Sequence, residues 1–226
     1  MQPPDSSSAM MGHNVFTQAR RSLGYVVTKR LSDVVFSIIV VVMLSIPVLV
    51  ISLIIFLESP GNPLYVQERV GKGGKTIKIF KLRSMVADAD NVEKYFSPEQ
   101  LEAWQRERKV DFDPRITRVG GFIRKASLDE LPQFVNVLIG DMSVIGPRTI
   151  TRDELEQWYT DAERDVLLSV PQGITGWWQV QKRNDATFES GERQKLELHY
   201  ATHADLRMDW DVFFATFGAI LGGAGK

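Results

Sequence analysis

Apolar and polar positions along this chain fall into four patterns, each predicting a different element. The first is an uncharged apolar run from Val34 to Leu57, 24 residues long, with Pro47 near its centre. That length suffices to cross a hydrocarbon core of about 30 Å. The second pattern alternates. Leu64–Val70 and Thr76–Leu82 are rich in β-formers and flank a glycine-rich turn, Gly71-Lys-Gly-Gly-Lys75, which predicts a β-hairpin. The third spans residues 97–109 and predicts a surface helix. Ser97 caps it, Pro98 suits its first position and Gln100 completes a capping box. The fourth places Leu128, Leu131, Phe134, Val135 and Leu138 at helical spacing, which predicts one buried helix face.

Flanking residues decide how the apolar run is read. No small-residue cleavage pattern follows it at Leu57-Glu-Ser-Pro60, which argues against a signal peptide. Basic residues lie on both sides: Arg20, Arg21, Lys29 and Arg30 before it, Arg69, Lys72, Lys75, Lys78, Lys81 and Arg83 after it. Membrane orientation normally follows an asymmetry in such residues, and here neither side is poor in them. Pro47 removes a helical hydrogen bond and clashes with the preceding turn. It divides the run into halves, Val34–Ile46 and Val48–Leu57, of roughly 20 and 15 Å, too short to span alone. Ser45 is placed to bond a carbonyl that the proline frees. The residues alone leave a spanning helix and a helix that re-enters the same face both open.

Composition narrows the class. The chain has 226 residues, 44% hydrophobic and 24% charged, and a net charge of -1. These values describe one folded domain with appendages and argue against bulk binding to nucleic acid. Cysteine is absent, which excludes disulfides, a thiolate nucleophile and cysteine metal sites. The first residues are small, polar and aperiodic and read as a flexible tail. Gly74-Lys75-Thr76 imitates the end of a P-loop, but Arg69 stands where that motif needs glycine. His199 and His203 share a helical spacing without an evident third ligand. Trp177, Trp178 and Trp210 are read first as packing or interface residues and second as stacking surfaces for a base or sugar.

The chemistry concentrates in Ser127-Leu-Asp-Glu-Leu-Pro-Gln133. One reading is a capping box, with Ser127 as cap and Glu130 reaching back. The other reading is catalytic. Backbone N–H groups at a helix start favour anions and would lower the pKa of Asp129, leaving it ionised as a nucleophile. Glu130 beside it suits Mg2+, a hard cation that shares its shell with substrate phosphates. Arg124, Arg148 and Arg183 are candidate phosphate binders, since guanidinium grips phosphate in bidentate fashion.

These blocks resemble the monotopic polyprenyl-phosphate phosphoglycosyl transferases of the bacterial sugar transferase family. The resemblance runs from about Lys29 to the C-terminus. It rests on Lys29-Arg-x-x-Asp33, Phe80-Lys-Leu-Arg-Ser-Met85, Asp113-Pro-Arg-Ile-Thr117, Ser127–Gln133, Asn136-Val-Leu-x-Gly-Asp-Met-Ser143, Gly146-Pro-Arg148, and Gly173-Ile-Thr-Gly-Trp-Trp-Gln-Val180 with Arg183-Asn-Asp185. Three positions depart from it: Ile46-Pro47 replaces a Ser-Pro pair, Thr149 follows Arg148 where proline is usual, and a glycine usual near Lys182 is missing.

The resemblance implies an α+β fold: a mostly helical cytoplasmic domain with a small hairpin, anchored by a re-entrant helix broken at Pro47. Residues 1–20 would be the tail, 21–58 the membrane helix and 59–226 the transferase domain. It further implies Asp129 as nucleophile, Glu130 as Mg2+ ligand, and Arg69 and Asp209 near the substrate with the arginines above. The partners would be a UDP-sugar, a polyprenyl phosphate and membrane lipids, with a homodimer left open. The reaction would be a first membrane step of polysaccharide assembly, on the cytoplasmic face of the bacterial inner membrane, with galactose or glucose favoured as the sugar. The rival class is a non-catalytic adaptor whose helix and basic patch bind anionic lipids. It explains the lysines and arginines but not the Asp129–Glu130 pair.

Overall fold

The computed structural model describes residues 21–107, 110, 112–182 and 186–221. The predicted tail over residues 1–20 and the Arg183-Asn-Asp185 block lie outside them.

Helix α1 (Leu23–Glu58) is a single helix of 36 residues that continues through Pro47. A break was expected there, and the backbone does not make one. Pro47 costs one hydrogen bond, whereas a full break would strand several more groups that hydrocarbon cannot satisfy. Ser45 donates its hydroxyl to the Val42 carbonyl at 2.9 Å, and not to Met43, whose carbonyl the proline frees. Along its middle, Ile38, Ile39, Val42, Met43, Ile46 and Leu49 are exposed. By length and composition α1 can cross a membrane.

Both ends of α1 are fastened to the same globular domain. Near the start, Lys29 meets Asp209 at 3.0 Å, and Arg30 donates to the carbonyls of Val137 at 2.6 Å and Leu138 at 3.0 Å. Buried Asp33 accepts the Val144 N–H at 3.0 Å. At the far end, Glu58 accepts the Arg118 N–H at 2.9 Å and the Val119 N–H at 3.1 Å, while Ile55 is buried against Leu82 and Ile123.

The hairpin forms where alternation predicts it. Strands β1 (Leu64–Val70) and β2 (Thr76–Leu82) pair antiparallel, with Tyr65 opposite Lys81 and Arg69 opposite Ile77. Opposite residues share a face, so Tyr65, Arg69, Ile77, Ile79 and Lys81 lie together. A short helix α2 (Val92–Tyr95) precedes α3 (Pro98–Glu107), whose predicted capping box forms: Ser97 accepts the Gln100 N–H and Gln100 the Ser97 N–H, both at 3.2 Å. Helix α4 (Arg118–Lys125) has its first amides satisfied by Glu58 and by Thr117, which accepts from Gly120 at 2.9 Å.

The segment after α4 differs from expectation. Ser127 adopts a left-handed conformation and its side chain does not cap. Leu128–Glu130 form one 3-10 turn, and α5 (Gln133–Ile139) begins only after Pro132. The predicted capping box is therefore absent here, and so is the continuous helix over 128–138. Left-handed Ser127 turns the chain too sharply for a helix to start, and Pro132 supplies no N–H to continue one. The buried face of α5 is Gln133, Asn136 and Val137, while Val135 is exposed. Asn136 bridges to β2, accepting from the Phe80 N–H at 2.9 Å and donating to the Lys78 carbonyl at 2.7 Å.

A second sheet was not foreseen. Strand β3 (Ser143–Ile145) pairs in parallel with β4 (Gly173–Thr175). Between them stand α6 (Arg152–Trp158) and α7 (Asp161–Leu167), each opened by a capping box from threonine to glutamate. Helices α8 (Trp177–Lys182), α9 (Glu192–His203) and α10 (Leu206–Leu221) complete the domain. The main core gathers Ile77, Ile79, Val137, Met142, Tyr200 and Val212. The α+β class, mostly helical with a small antiparallel sheet, is as the sequence implies.

Candidate active site

The carboxylate pair sits at the junction of the 3-10 turn with the open face of the hairpin. Glu130 binds Arg148, Oε1 to Nη2 at 2.8 Å. The arginine is held from behind as well: its backbone N–H is bound by both carboxylate oxygens of buried Glu197, at 3.1 and 3.2 Å. Its loop is fixed by close backbone contact. A Cβ on Gly173 would lie 2.1 Å from the Gly146 nitrogen, so only glycine fits. The guanidinium thus arrives at Glu130 on a loop with little freedom. Burial opposes its charge, but Glu130, Glu197 and Asp129 together leave its pKa raised.

Asp129 departs from expectation in its electrostatics. Its pKa is raised, first by burial and then by the Glu130 charge, against the opposing pull of Lys81 and Arg124. A depressed value was predicted from a helix start. The turn is a single one, and the one backbone N–H bond that favours the carboxylate is outweighed by burial and by Glu130. Lys81 has its pKa lowered by burial, with Glu130, Arg148, Arg69 and Asp129 as its charged neighbours.

Lys81 was not singled out from the sequence as a site residue. The signal was there: it continues the inward face of β2 after Ile77 and Ile79, and a lysine on a core-facing strand position requires a partner. Arg69 comes from the same hairpin face. Its guanidinium lies 2.9 Å from Gln67 Oε1 and 3.7 Å from Glu154. Arg124, at the end of α4, donates to Ser84 Oγ at 2.7 Å and senses the Asp129 charge. The structure therefore gathers Asp129, Glu130, Arg148, Arg124, Arg69 and Lys81. Arg183 lies outside the described residues.

Asp209 is placed elsewhere. It binds Lys29 at 3.0 Å, the Tyr25 hydroxyl at 3.1 Å and the Tyr200 hydroxyl at 2.6 Å, and so ties α1 to α9 and α10. Trp178 packs under Arg193, whose guanidinium carbon is 4.2 Å from its ring, and Trp177 lies against the core. His199 and His203 stack at 4.5 Å, and among the described residues no group of three or more ligand side chains could hold a metal. Any ion at the carboxylate pair would complete its shell from a bound ligand, as Mg2+ commonly does.

Two carboxylates thus lie among guanidinium and ammonium groups on a small α+β domain that carries a long apolar helix. The chain belongs to the bacterial sugar transferase family, which it matches over residues 24–223. It is 37% identical over 207 residues to the exopolysaccharide production protein ExoY of Sinorhizobium fredii, covering 90% of this chain and 89% of that one. It is 39% identical over 206 residues to the undecaprenyl-phosphate galactose phosphotransferase of Salmonella typhimurium, covering 90% of this chain and 42% of that one. It is 37% identical over 188 residues to the UDP-glucose:undecaprenyl-phosphate glucose-1-phosphate transferase of Escherichia coli, covering 82% and 37%. The chain thus spans most of the first relative and less than half of the other two.

Proposed function

We propose that this chain transfers a sugar 1-phosphate from a UDP-sugar to undecaprenyl phosphate, as a membrane step of polysaccharide assembly. An Asp129 carboxylate oxygen attacks the β-phosphorus of the donor. The bond from that phosphorus to the bridging oxygen breaks, UMP leaves, and a phosphosugar stays on Asp129 as a mixed anhydride. A phosphate oxygen of undecaprenyl phosphate then attacks the same phosphorus, a diphosphate bond forms and the Asp129 carboxylate is released. Arg148, Arg69, Lys81 and Arg124 neutralise the phosphate oxygens during both displacements, where positioning and charge stabilisation dominate. Glu130 orients Arg148 in the free enzyme. Glu130 would also hold Mg2+ when substrate is bound, and the ion would supply further charge neutralisation. The observation that carries this reading is the Glu130–Arg148 pair at 2.8 Å beside Asp129, in a chain of this family.

The topology in this reading is re-entrant, with the domain on the cytoplasmic face of the inner membrane. Its support is that both ends of α1 fasten to one domain, through Lys29, Arg30 and Asp33 at one end and Ile55 and Glu58 at the other. A helix bent at Pro47 keeps those contacts and still buries its exposed middle in lipid.

The test is to incubate the protein with a panel of UDP-sugars and no acceptor. Intact mass should show one added phosphosugar with the matching donor, accompanied by UMP, and Asp129→Asn should show neither. Turnover without a covalent adduct would leave the transfer but remove Asp129 as nucleophile. Silence with every donor would remove the proposed function.

A further inference from the structure

Helix α9 opens with a charge held in an apolar place. The Arg193 guanidinium carbon lies 4.2 Å from the centre of the Trp178 ring and 3.9 Å from that of Phe188, and its side chain is 16% exposed. Both rings are themselves anchored. Trp178 donates its indole N–H to the Ala186 carbonyl at 3.2 Å, while Phe188 stacks on Trp158 at 5.6 Å and meets Tyr159 edge-on at 6.1 Å. Burial lowers the Arg193 pKa. An apolar side chain would fill this place without the cost of burying a cation, so the charge needs a reason.

The reason lies one turn along the helix. Arg193 Nε is 4.0 Å from Glu197 Oε1 and makes no hydrogen bond among the described residues. The pair therefore acts through charge. The Glu197 side chain is 3% exposed, and both its oxygens are given to the Arg148 N–H, at 3.1 and 3.2 Å. Burial works against the ionised form of Glu197. Of the influences that favour that form Arg193 is the largest, ahead of the Arg148 amide and the Arg148 guanidinium. A neutral acid grips an amide less strongly than a carboxylate, since hydrogen bonds to an ionised acceptor are roughly twice as strong. Contacts thus run without a gap from Arg193 to Glu197, from Glu197 to Arg148, and from Arg148 to Glu130 at 2.8 Å.

We propose that Arg193 is a positioning residue for the transfer: its charge braces the Glu197 carboxylate against the Arg148 amide, and so holds the Arg148 guanidinium at Glu130 and the substrate phosphate. The inference rests on the transferase reading above, in which Arg148 neutralises phosphate oxygens. The rings of Trp178 and Phe188 fix where the charge stands.

The test uses the full chain in nanodiscs. Arg193→Met fills the place beside the rings and removes the charge, whereas Arg193→Lys keeps a charge there. With the matching UDP-sugar and undecaprenyl phosphate, Arg193→Met should lower kcat about tenfold. Arg193→Lys should stay within about threefold of the unmutated protein, because charge is what counts. Added to Arg148→Lys, Arg193→Met should cost nothing further, because the oriented fork it serves has gone. Full activity in Arg193→Met overturns the proposal. So does an equal loss in the two Arg193 variants, or an undiminished further loss on top of Arg148→Lys.

A second readout needs no turnover: amide hydrogen exchange resolved to single residues. Arg193→Met should speed exchange at the Arg148 N–H about tenfold and leave the Gly146 N–H, bound to the Thr175 carbonyl at 2.9 Å, unchanged. Arg193→Lys should change neither. An unaltered Arg148 rate, or equal acceleration at both amides, overturns the proposal even if no UDP-sugar is used. If every donor fails while the Arg148 amide alone loosens, the transferase reading falls and the brace stands.

Discussion

Arg148 joins Glu130 at 2.8 Å while its own backbone N–H rests on Glu197. One residue is thereby held by two carboxylates with different duties. Glu197 fixes where the chain runs, and Glu130 fixes where the guanidinium points. The first prediction follows from that division. Arg148→Lys keeps the charge and loses the fork, so turnover should fall on the order of 100-fold, the cost of removing one oriented charge stabiliser. Thermal unfolding should change little, because the backbone contact to Glu197 remains. A variant with near-normal UMP release would remove the Arg148 side chain from the site.

The raised pKa of Asp129 makes a second prediction, about acid. Burial and the Glu130 charge both oppose ionisation, so adduct formation should fall away at a higher pH than a free aspartate would require. Glu130→Gln deletes the second cause and leaves the first. The acid limb of adduct formation should then move to lower pH, even as the overall rate drops. A limb that stays in place, measured by quenched-flow mass spectrometry, would show that Glu130 does not influence the charge on Asp129.

Glu197 should contribute to the pH dependence of stability. Its pKa is pushed from 4.5 up to about 7, chiefly by burial, with Arg193 and the Arg148 amide pulling the other way. A folded value above the unfolded one means that the contribution is fully present below about pH 4.5 and is lost as pH rises through 7. The gap corresponds to roughly 3 kcal/mol at most. Glu197→Gln cannot ionise yet still offers an oxygen to the Arg148 amide. It should flatten the slope of denaturant midpoint between pH 5 and 8, and an unflattened slope would assign the titration to another group.

How much of this could be read from the chain depends on sequence distance. The hairpin and α3 were legible because their signals are local: β-formers around a glycine turn, and a serine with glutamine three residues on. The Ser127–Glu130 segment spells the same capping signal and yet folds as a 3-10 turn. Here the left-handed Ser127 and Pro132 prevail over the local pattern. The pairing of β3 with β4 was not legible, since three-residue strands separated by two helices carry no periodicity of their own. Asp129 and Glu130 were recognisable as a pair, but their partners arrive from β2, α4 and the loop after β3, which no spacing rule connects. Lys81 could have been found, as a charged residue on the buried face of an alternating strand.

The backbone contact behind Arg148 provides a fourth prediction. Gly173→Ala would drive a methyl group into the Gly146 nitrogen and the Thr175 carbonyl, 2.1 and 2.5 Å away. These are backbone atoms, one in β4 and one just past β3 and hydrogen-bonded to it, and cannot swing aside. The variant should be destabilised by about 2–4 kcal/mol or fail to fold. Gly121→Ala, on α4 where a Cβ meets nothing within 4 Å, is the matched control and should be neutral or slightly stabilising. Equal stability of the two variants would contradict the close packing of the Arg148 loop.

Topology provides the last prediction. Basic residues flank the apolar run on both sides, and both ends of α1 are fastened to the domain, so the two ends should face one compartment. The chain contains no cysteine, which leaves a clean background for labelling. Cysteines introduced at Leu23 and Lys72, both exposed, should react with a membrane-impermeant maleimide only when the cytoplasmic face is open. Pro47→Leu restores the one helical hydrogen bond that α1 lacks and removes the ring clash that favours bending there. A straight helix can cross the bilayer, but only by pulling one end away from the domain. It would forfeit either the Lys29–Asp209 pair with the Arg30 bonds, or the Glu58 cap of α4. The two sites should then label from opposite faces in a fraction of molecules, and activity should fall in proportion to that fraction. Opposite-face labelling in the unmutated protein would end the re-entrant reading. The chemistry proposed at Asp129 would survive it, because no group of that site belongs to α1.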